Sequence, residues 1–194
     1  MQTGITTDTV TEARALLRAS GVPLSTKELR NITVLDYGLG DVRTEGLQNI
    51  TLLRTARLEV KVQVLLADQS VPQHVHLPYA GNPGKEETIR VLWGTLRLYR
   101  NGPDTLREGC IPPGKERYYS LRNETVLRSG NQTTIAPGEW HWFQGGNNGV
   151  VAMSFYTRAD NSHNRYADPS AYFSVCMRTM KSVVERCHES GQNR

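Results

Sequence analysis

The sequence predicts an all-β barrel with short helices before it and one helix after it. Three features carry this: period-two hydrophobic alternation in the middle of the chain, turn clusters between the alternating runs, and helical spacing confined to the two ends. Many short strands separated by Gly, Pro and Asn favour a barrel or sandwich over a layered α/β arrangement.

Ala13, Leu16 and Leu17 fall at helical spacing, and Gly21 with Pro23 closes that segment. Ser25 and Glu28 stand three apart, the pattern of a capping box, which predicts a second short helix from Ser25 to about Asn31. From residue 33 the texture is β. Leu58, Val60, Val62, Val64 and Leu66 alternate with Glu59, Lys61 and Gln63, which predicts a strand with one buried face. Further strands are expected at Thr88–Arg100, Tyr118–Leu121, Thr125–Arg128, Gln132–Ile135, His141–Gln144 and Val150–Thr157. At the far end Asp168 reads as an N-cap with Pro169 in the first turn. Tyr172, Cys176, Thr179, Met180, Val183 and Cys187 would then share one helical face. No repeat or linker divides the chain. One domain is expected, with a helical segment over 1–32, the barrel over 33–167 and the C-terminal helix over 168–191.

A length of 194 residues suits one domain with a sizeable core. Lys and Arg number 23 against 19 Asp and Glu, a net charge of +4, and the charges are scattered. Without a basic stripe, nucleic acid is not an expected partner. No apolar run approaches the roughly 20 residues of a membrane-spanning helix. The opening MQTGITTDTVTEARALL has no basic stretch followed by an apolar one, so no secretory leader and a cytoplasmic location are expected. Cys110, Cys176 and Cys187 are odd in number and lack C-x-x-C spacing, which argues against a disulfide framework.

Chemistry concentrates in three of the five histidines. His74 and His76 are two apart, so in extended chain both imidazoles point to one face. Glu87 follows across a Pro/Gly loop, and His141 comes just after Pro137-Gly138. Three imidazoles and one carboxylate suit a borderline divalent ion such as Mn, Fe, Co, Ni or Zn, with coordination positions left open. Strand alternation puts Lys85 on the face of Glu87 and turns Glu86 away, so Lys85 is the first choice for a base or hydrogen-bond donor. Ile89, Val91 and Trp93 share the parity of Glu87 and are expected to line the barrel.

These residues carry a resemblance. His74-Val75-His76, with Glu87 six residues before Gly94, is similar to the first motif of the cupins. Pro137-Gly138-Glu139-Trp140-His141 resembles the second, one residue shorter between Pro and Gly. Of the two adjacent carboxylates, Glu87 rather than Glu86 satisfies the spacing to Gly94. Three segments resemble the cupin-type sugar isomerases of the D-lyxose isomerase family: Asp36-Tyr37-Gly38-Leu39-Gly40-Asp41, the long loop ending Gly84-Lys85-Glu86-Glu87, and the run from Asp160 to Pro169 with Asn164 and Arg165. The resemblance implies a jelly-roll cupin barrel holding one divalent metal, Mn²⁺ foremost, through His74, His76, Glu87 and His141. It also implies aldose–ketose isomerisation of a free sugar, D-lyxose/D-xylulose or D-mannose/D-fructose, with Lys85, Asp160 and Arg165 as catalytic candidates. A homodimer is expected with it. Two rival readings keep the same site: an Fe(II)-dependent dioxygenase, and a non-catalytic sugar-binding cupin.

Overall fold

The computed structural model describes residues 2–178. Helix α1 (Gln2–Ser20) ends where Gly21 takes a left-handed φ of 67°. Helix α2 (Thr26–Leu29) starts at Ser25 with the expected capping box: the Ser25 hydroxyl accepts the Glu28 N–H, and the Glu28 carboxylate accepts the Ser25 N–H. Among the described residues no helix is long and apolar enough to cross a membrane.

Ten strands follow: β1 (Thr33–Leu35), β2 (Leu47–Arg54), β3 (Leu58–Leu65), β4 (Ser70–His76), β5 (Glu87–Arg100), β6 (Asn123–Arg128), β7 (Gln132–Ile135), β8 (His141–Thr157), β9 (Asn164–Tyr166) and β10 (Val175–Arg178). They form one hydrogen-bonded sheet in the order β10-β1-β2-β3-β8-β4-β9, with β5 paired to β8, β6 and β7. The sheet folds over on itself in jelly-roll fashion without closing. Strand β8 is its spine. His141 pairs with His74 of β4, and Val150 to Thr157 pair with β3, while β5 runs along most of its length. The two strands expected at His141–Gln144 and Val150–Thr157 are thus one, because the Gly145-Gly146-Asn147-Asn148 turn signal is carried through as extended chain. The strand expected at Tyr118–Leu121 is instead a 3₁₀ turn at Glu116–Tyr118 followed by coil.

Three apolar clusters hold the fold. One fills the barrel, from Leu35 and Leu47 across Ile89 and Val91 to Phe143 and Ala152. A second lies outside, where Val10, Ala13 and Leu17 of α1 cover Val62 and Val64 of β3. The third stacks Tyr99 on Trp142, centroids 3.6 Å apart, with Tyr119 edge-on. The second cluster decides what β3 does. Its apolar face turns outward to the helices, so Glu59, Lys61 and Gln63 turn into the barrel and are buried or half-buried.

Two further expectations are corrected. Trp93 does not line the barrel: a bulge between Val91 and Trp93 breaks the two-residue alternation, and Trp93 packs with the helix-side cluster. Gly94 follows it at φ 79°, and a Cβ there would lie 2.3 Å from the carbonyl oxygen of Gly149, so only glycine lets β5 and β8 meet. The helix expected from Asp168 does not begin there. The Asp168 carboxylate accepts the Ser170 N–H in a turn, and the chain then pairs as β10 with β1. An Asp-Pro start serves a turn as well as a helix; the strand wins because β1 offers a free edge. The remainder of that expected helix, Thr179 onward, lies outside the described residues.

Candidate metal centre

Strands β4, β5 and β8 deliver four side chains to one buried point. Strand β4 carries His74 and His76, both essentially buried. Its backbone pairing with β8 sets His141 directly opposite His74. The turn before β8 is tied to β4 by the Gly138 N–H donating to the His76 carbonyl at 3.0 Å. Gly84, at φ 99°, comes so near β4 that a Cβ would stand 2.6 Å from the same carbonyl. That approach folds the 77–86 loop back and brings Glu87 to the start of β5, beside His76.

Each imidazole is oriented through its Nδ1. That of His74 meets the Pro72 carbonyl, that of His141 the Glu139 carbonyl and that of His76 the Asn164 Oδ1, all at 2.8 Å. With those acceptors Nδ1 carries the proton and Nε2 keeps its lone pair, the tautomer a metal requires. One ligand atom from each of the three histidines lies within 4.8 Å of the others. A Glu87 carboxylate oxygen is 3.4 Å from the His76 Nε2. The Nε2 atoms of His76 and His141 and the Glu87 Oε1 are buried without a hydrogen-bond partner. Buried polar atoms without partners are costly and rare. Several converging on one point fit a divalent cation, and so does the mixed imidazole–carboxylate donor set.

The electrostatics agree. Burial, reinforced by the neighbouring imidazoles, holds His74 well below the ordinary histidine range and His141 down to about 3, so both are neutral. Burial raises the Glu87 carboxyl, but the neighbouring His76 and the charge of Lys85 outweigh it, so Glu87 is held below the ordinary glutamate range and stays ionised. Burial lowers Lys85 to about 8 against the pull of Glu87, with Lys61 adding to the lowering.

An inner cavity of about 50 Å³ opens beside the histidines, with Lys85, Glu87, Tyr37, Tyr156 and Tyr166 in its wall. It leads to an outer cleft of about 1350 Å³. Lys85 and Glu87 face the inner cavity, while Glu86 is exposed. Asp160 and Arg165 do not join them. Asp160 is exposed, caps a 3₁₀ turn by accepting the Ser162 N–H, and lies 3.7 Å from His163. Arg165 is exposed on β9 opposite Val75; both residues line the outer cleft. On that short strand Asn164 and Tyr166 take the inward positions, opposite His76 and His74. The Tyr166 ring stacks on His74 at 5.6 Å.

Several wall residues are not apparent from periodicity alone. Glu59, Lys61 and Gln63 alternate with valines and read as a solvent face. The signal that locates them is the pair of N-terminal helices, which must cover an apolar sheet face and leave the polar one inside. Tyr156 is found the same way, since Glu59 pairs with it across β3 and β8.

A jelly-roll sheet around a three-histidine, one-glutamate pocket defines a cupin-fold protein with a site suited to a divalent ion. No family model matches the chain. It is 39% identical over 155 residues to the D-lyxose ketol-isomerase of Cohnella laeviribosi, covering 79% of this chain and 85% of the relative. It is 38% identical over 154 residues to the D-lyxose/D-mannose isomerase of Thermosediminibacter oceani, again covering 79% and 85%. Among solved structures, the L-ribose isomerase of Cellulomonas parahominis superposes with a TM-score of 0.71 at 15% identity, covering 87% of this chain and 93% of that one. That of Geodermatophilus obscurus superposes with a TM-score of 0.60 at 16% identity, covering 92% and 91%. These structures share the fold. The chain belongs to the D-lyxose ketol-isomerase family and is a sugar isomerase.

Proposed function

We propose that this enzyme is a metal-dependent aldose–ketose isomerase of free sugars, with D-lyxose/D-xylulose and D-mannose/D-fructose as its leading pairs. The names of the two bacterial relatives support both pairs. The observation that carries metal dependence is the convergence of partnerless, buried His76 Nε2, His141 Nε2 and Glu87 Oε1. His74, His76, Glu87 and His141 would hold the ion, with Mn²⁺ the leading candidate. A divalent ion there supplies Lewis-acid stabilisation of charge developing on adjacent sugar oxygens.

The rest of the chemistry falls to the chain. Lys85, in the cavity wall beside Glu87 and lowered by burial to about 8, has an accessible neutral amine. That amine takes the proton from C2 of the open-chain aldose and returns it to C1, while the hydroxyl proton of O2 passes to O1. Tyr37, Tyr156 and Tyr166 narrow the cavity and exclude bulk water from the transfer. Asp160 and Arg165 belong to the outer cleft, where they meet the sugar's hydroxyls as it enters. A homodimer in the cytoplasm completes the proposal; it rests on the resemblance and on the prevalence of two-fold assemblies. Light scattering at micromolar concentration checks the dimer.

The test is to incubate Mn²⁺-loaded protein with each aldose in D₂O and follow ketose formation and deuterium at C1. Ketose with partial deuterium at C1 is expected, since an amine exchanges its proton with solvent. No ketose from any pentose or hexose overturns the isomerase assignment for these substrates.

A further inference from the structure

The inner cavity holds only a few water-sized groups, too little for a whole pentose. On the isomerase reading, a sugar with C1 and C2 near the histidines must thread its remaining carbons into the neck shared with the cleft. Glu59, Lys61, Asn49 and Asn164 line both spaces and so form that neck.

Lys61 stands out among them. Its side chain is only 12% exposed. Among the described residues its Nζ has one polar partner, Glu59 Oε1 at 3.5 Å, and it lies 5.5 Å from the centre of the Tyr156 ring. An ammonium has three N–H donors, so donors remain for a ligand. Lys61 shares Glu59 with other cations: Arg54 binds the carboxylate with two nitrogens, its Nε at 2.9 Å, and Arg158 stands 3.9 Å away. Gln63, the next inward residue on β3, lines only the inner cavity, where its Nε2 donates to the Tyr156 hydroxyl and its Oε1 accepts from Ser154. Lys61 is therefore the donor of β3 that lies in the neck.

We propose that Lys61, positioned by Glu59, is a substrate-binding residue that donates to hydroxyl oxygens at the non-reacting end of the sugar. This rests on the sugar-isomerase reading of the same cavity.

The experiment measures binding without turnover. Metal-loaded protein is titrated calorimetrically with D-arabinitol and D-mannitol, the alditols of D-lyxose and D-mannose. Lys61→Met, similar in length but without donors, is expected to bind them at least about tenfold more weakly, as for a lost hydrogen bond to a charged group. Its metal content and melting temperature should match the parent, and Lys61→Arg should recover most of the affinity. A second measurement needs no variant. In the parent, acylation of Lys61 by an amine-reactive ester, followed by mass spectrometry, should slow when alditol is present. Equal affinity in a folded Lys61→Met, no alditol binding by the parent, or no protection of Lys61 from acylation overturns the inference. Ketose formation is scored separately. Turnover with no Lys61 effect defeats this inference alone, and Lys61 protection without turnover defeats the isomerase reading alone.

Discussion

The inner cavity and the outer cleft meet at one neck but are held in place by different means. The four inner side chains sit on β4, β5 and β8, and each histidine has a hydrogen bond at Nδ1 that fixes its ring. The cleft is lined in large part by the 158–173 segment, which is anchored to the sheet through β9 but carries turns on either side of it, as where Asp160 binds the Ser162 N–H two residues on. Groups on paired strands with a supporting shell hold their geometry to a fraction of an ångström, whereas turn residues adapt. The contrast suits the proposed reaction, which would fix two oxygens at the reacting end and admit either proposed sugar at the other.

The largest effect that would break this contrast is loss of a ligand. His141→Ala should weaken Mn²⁺ binding by more than about a hundredfold, beyond what changes in supporting residues do, and abolish turnover; metal analysis after dialysis reads it. Lys85→Ala should lower turnover by about 10²–10⁴-fold, the range for a lost general base, at full metal content. Stopped assays beside metal analysis separate those two variants. Asn164→Ala tests the supporting shell. Freed of its Asn164 partner, His76 should lose about 10–100-fold in metal affinity, seen by competition with a chelator, with little change in melting.

Acid sharpens the comparison in the metal-free protein. Folded His74 and His141 are held neutral below the ordinary histidine range, His141 to about 3. Between about pH 6.5 and pH 3 the unfolded chain therefore binds protons that the folded chain refuses. Stability is present above 6.5 and falls as pH drops, by up to about 1.4 kcal/mol per pH unit for each such histidine. Urea melts across this range check the slope; a flat profile would mean the rings are not held neutral. The smallest effect belongs to the cleft. Asp160→Asn keeps an acceptor for the Ser162 N–H, so melting should stay within about 0.5 kcal/mol of the parent and kcat should change only a few-fold, far less than for Lys85→Ala.

Local chemistry in the sequence was enough to find the metal candidates, the capping box at Ser25 and most long strands. His74 and His76 share a face by simple alternation, and the resemblance to the first cupin motif, through the spacing from Glu87 to Gly94, selects that carboxylate over Glu86. Such features need only neighbours along the chain. Tertiary packing decided the rest. The Val91/Trp93 bulge sends Trp93 out of the barrel, an edge left open by β1 draws Val175–Arg178 into the sheet instead of a helix, and β9 presents Asn164 and Tyr166 inward while Arg165 points away. Above all, periodicity shows that β3 has an apolar and a polar face, but not which one meets solvent. Helix α1 settles that by burying the valines on the outside, and this is why Glu59, Lys61 and Gln63 line the pocket.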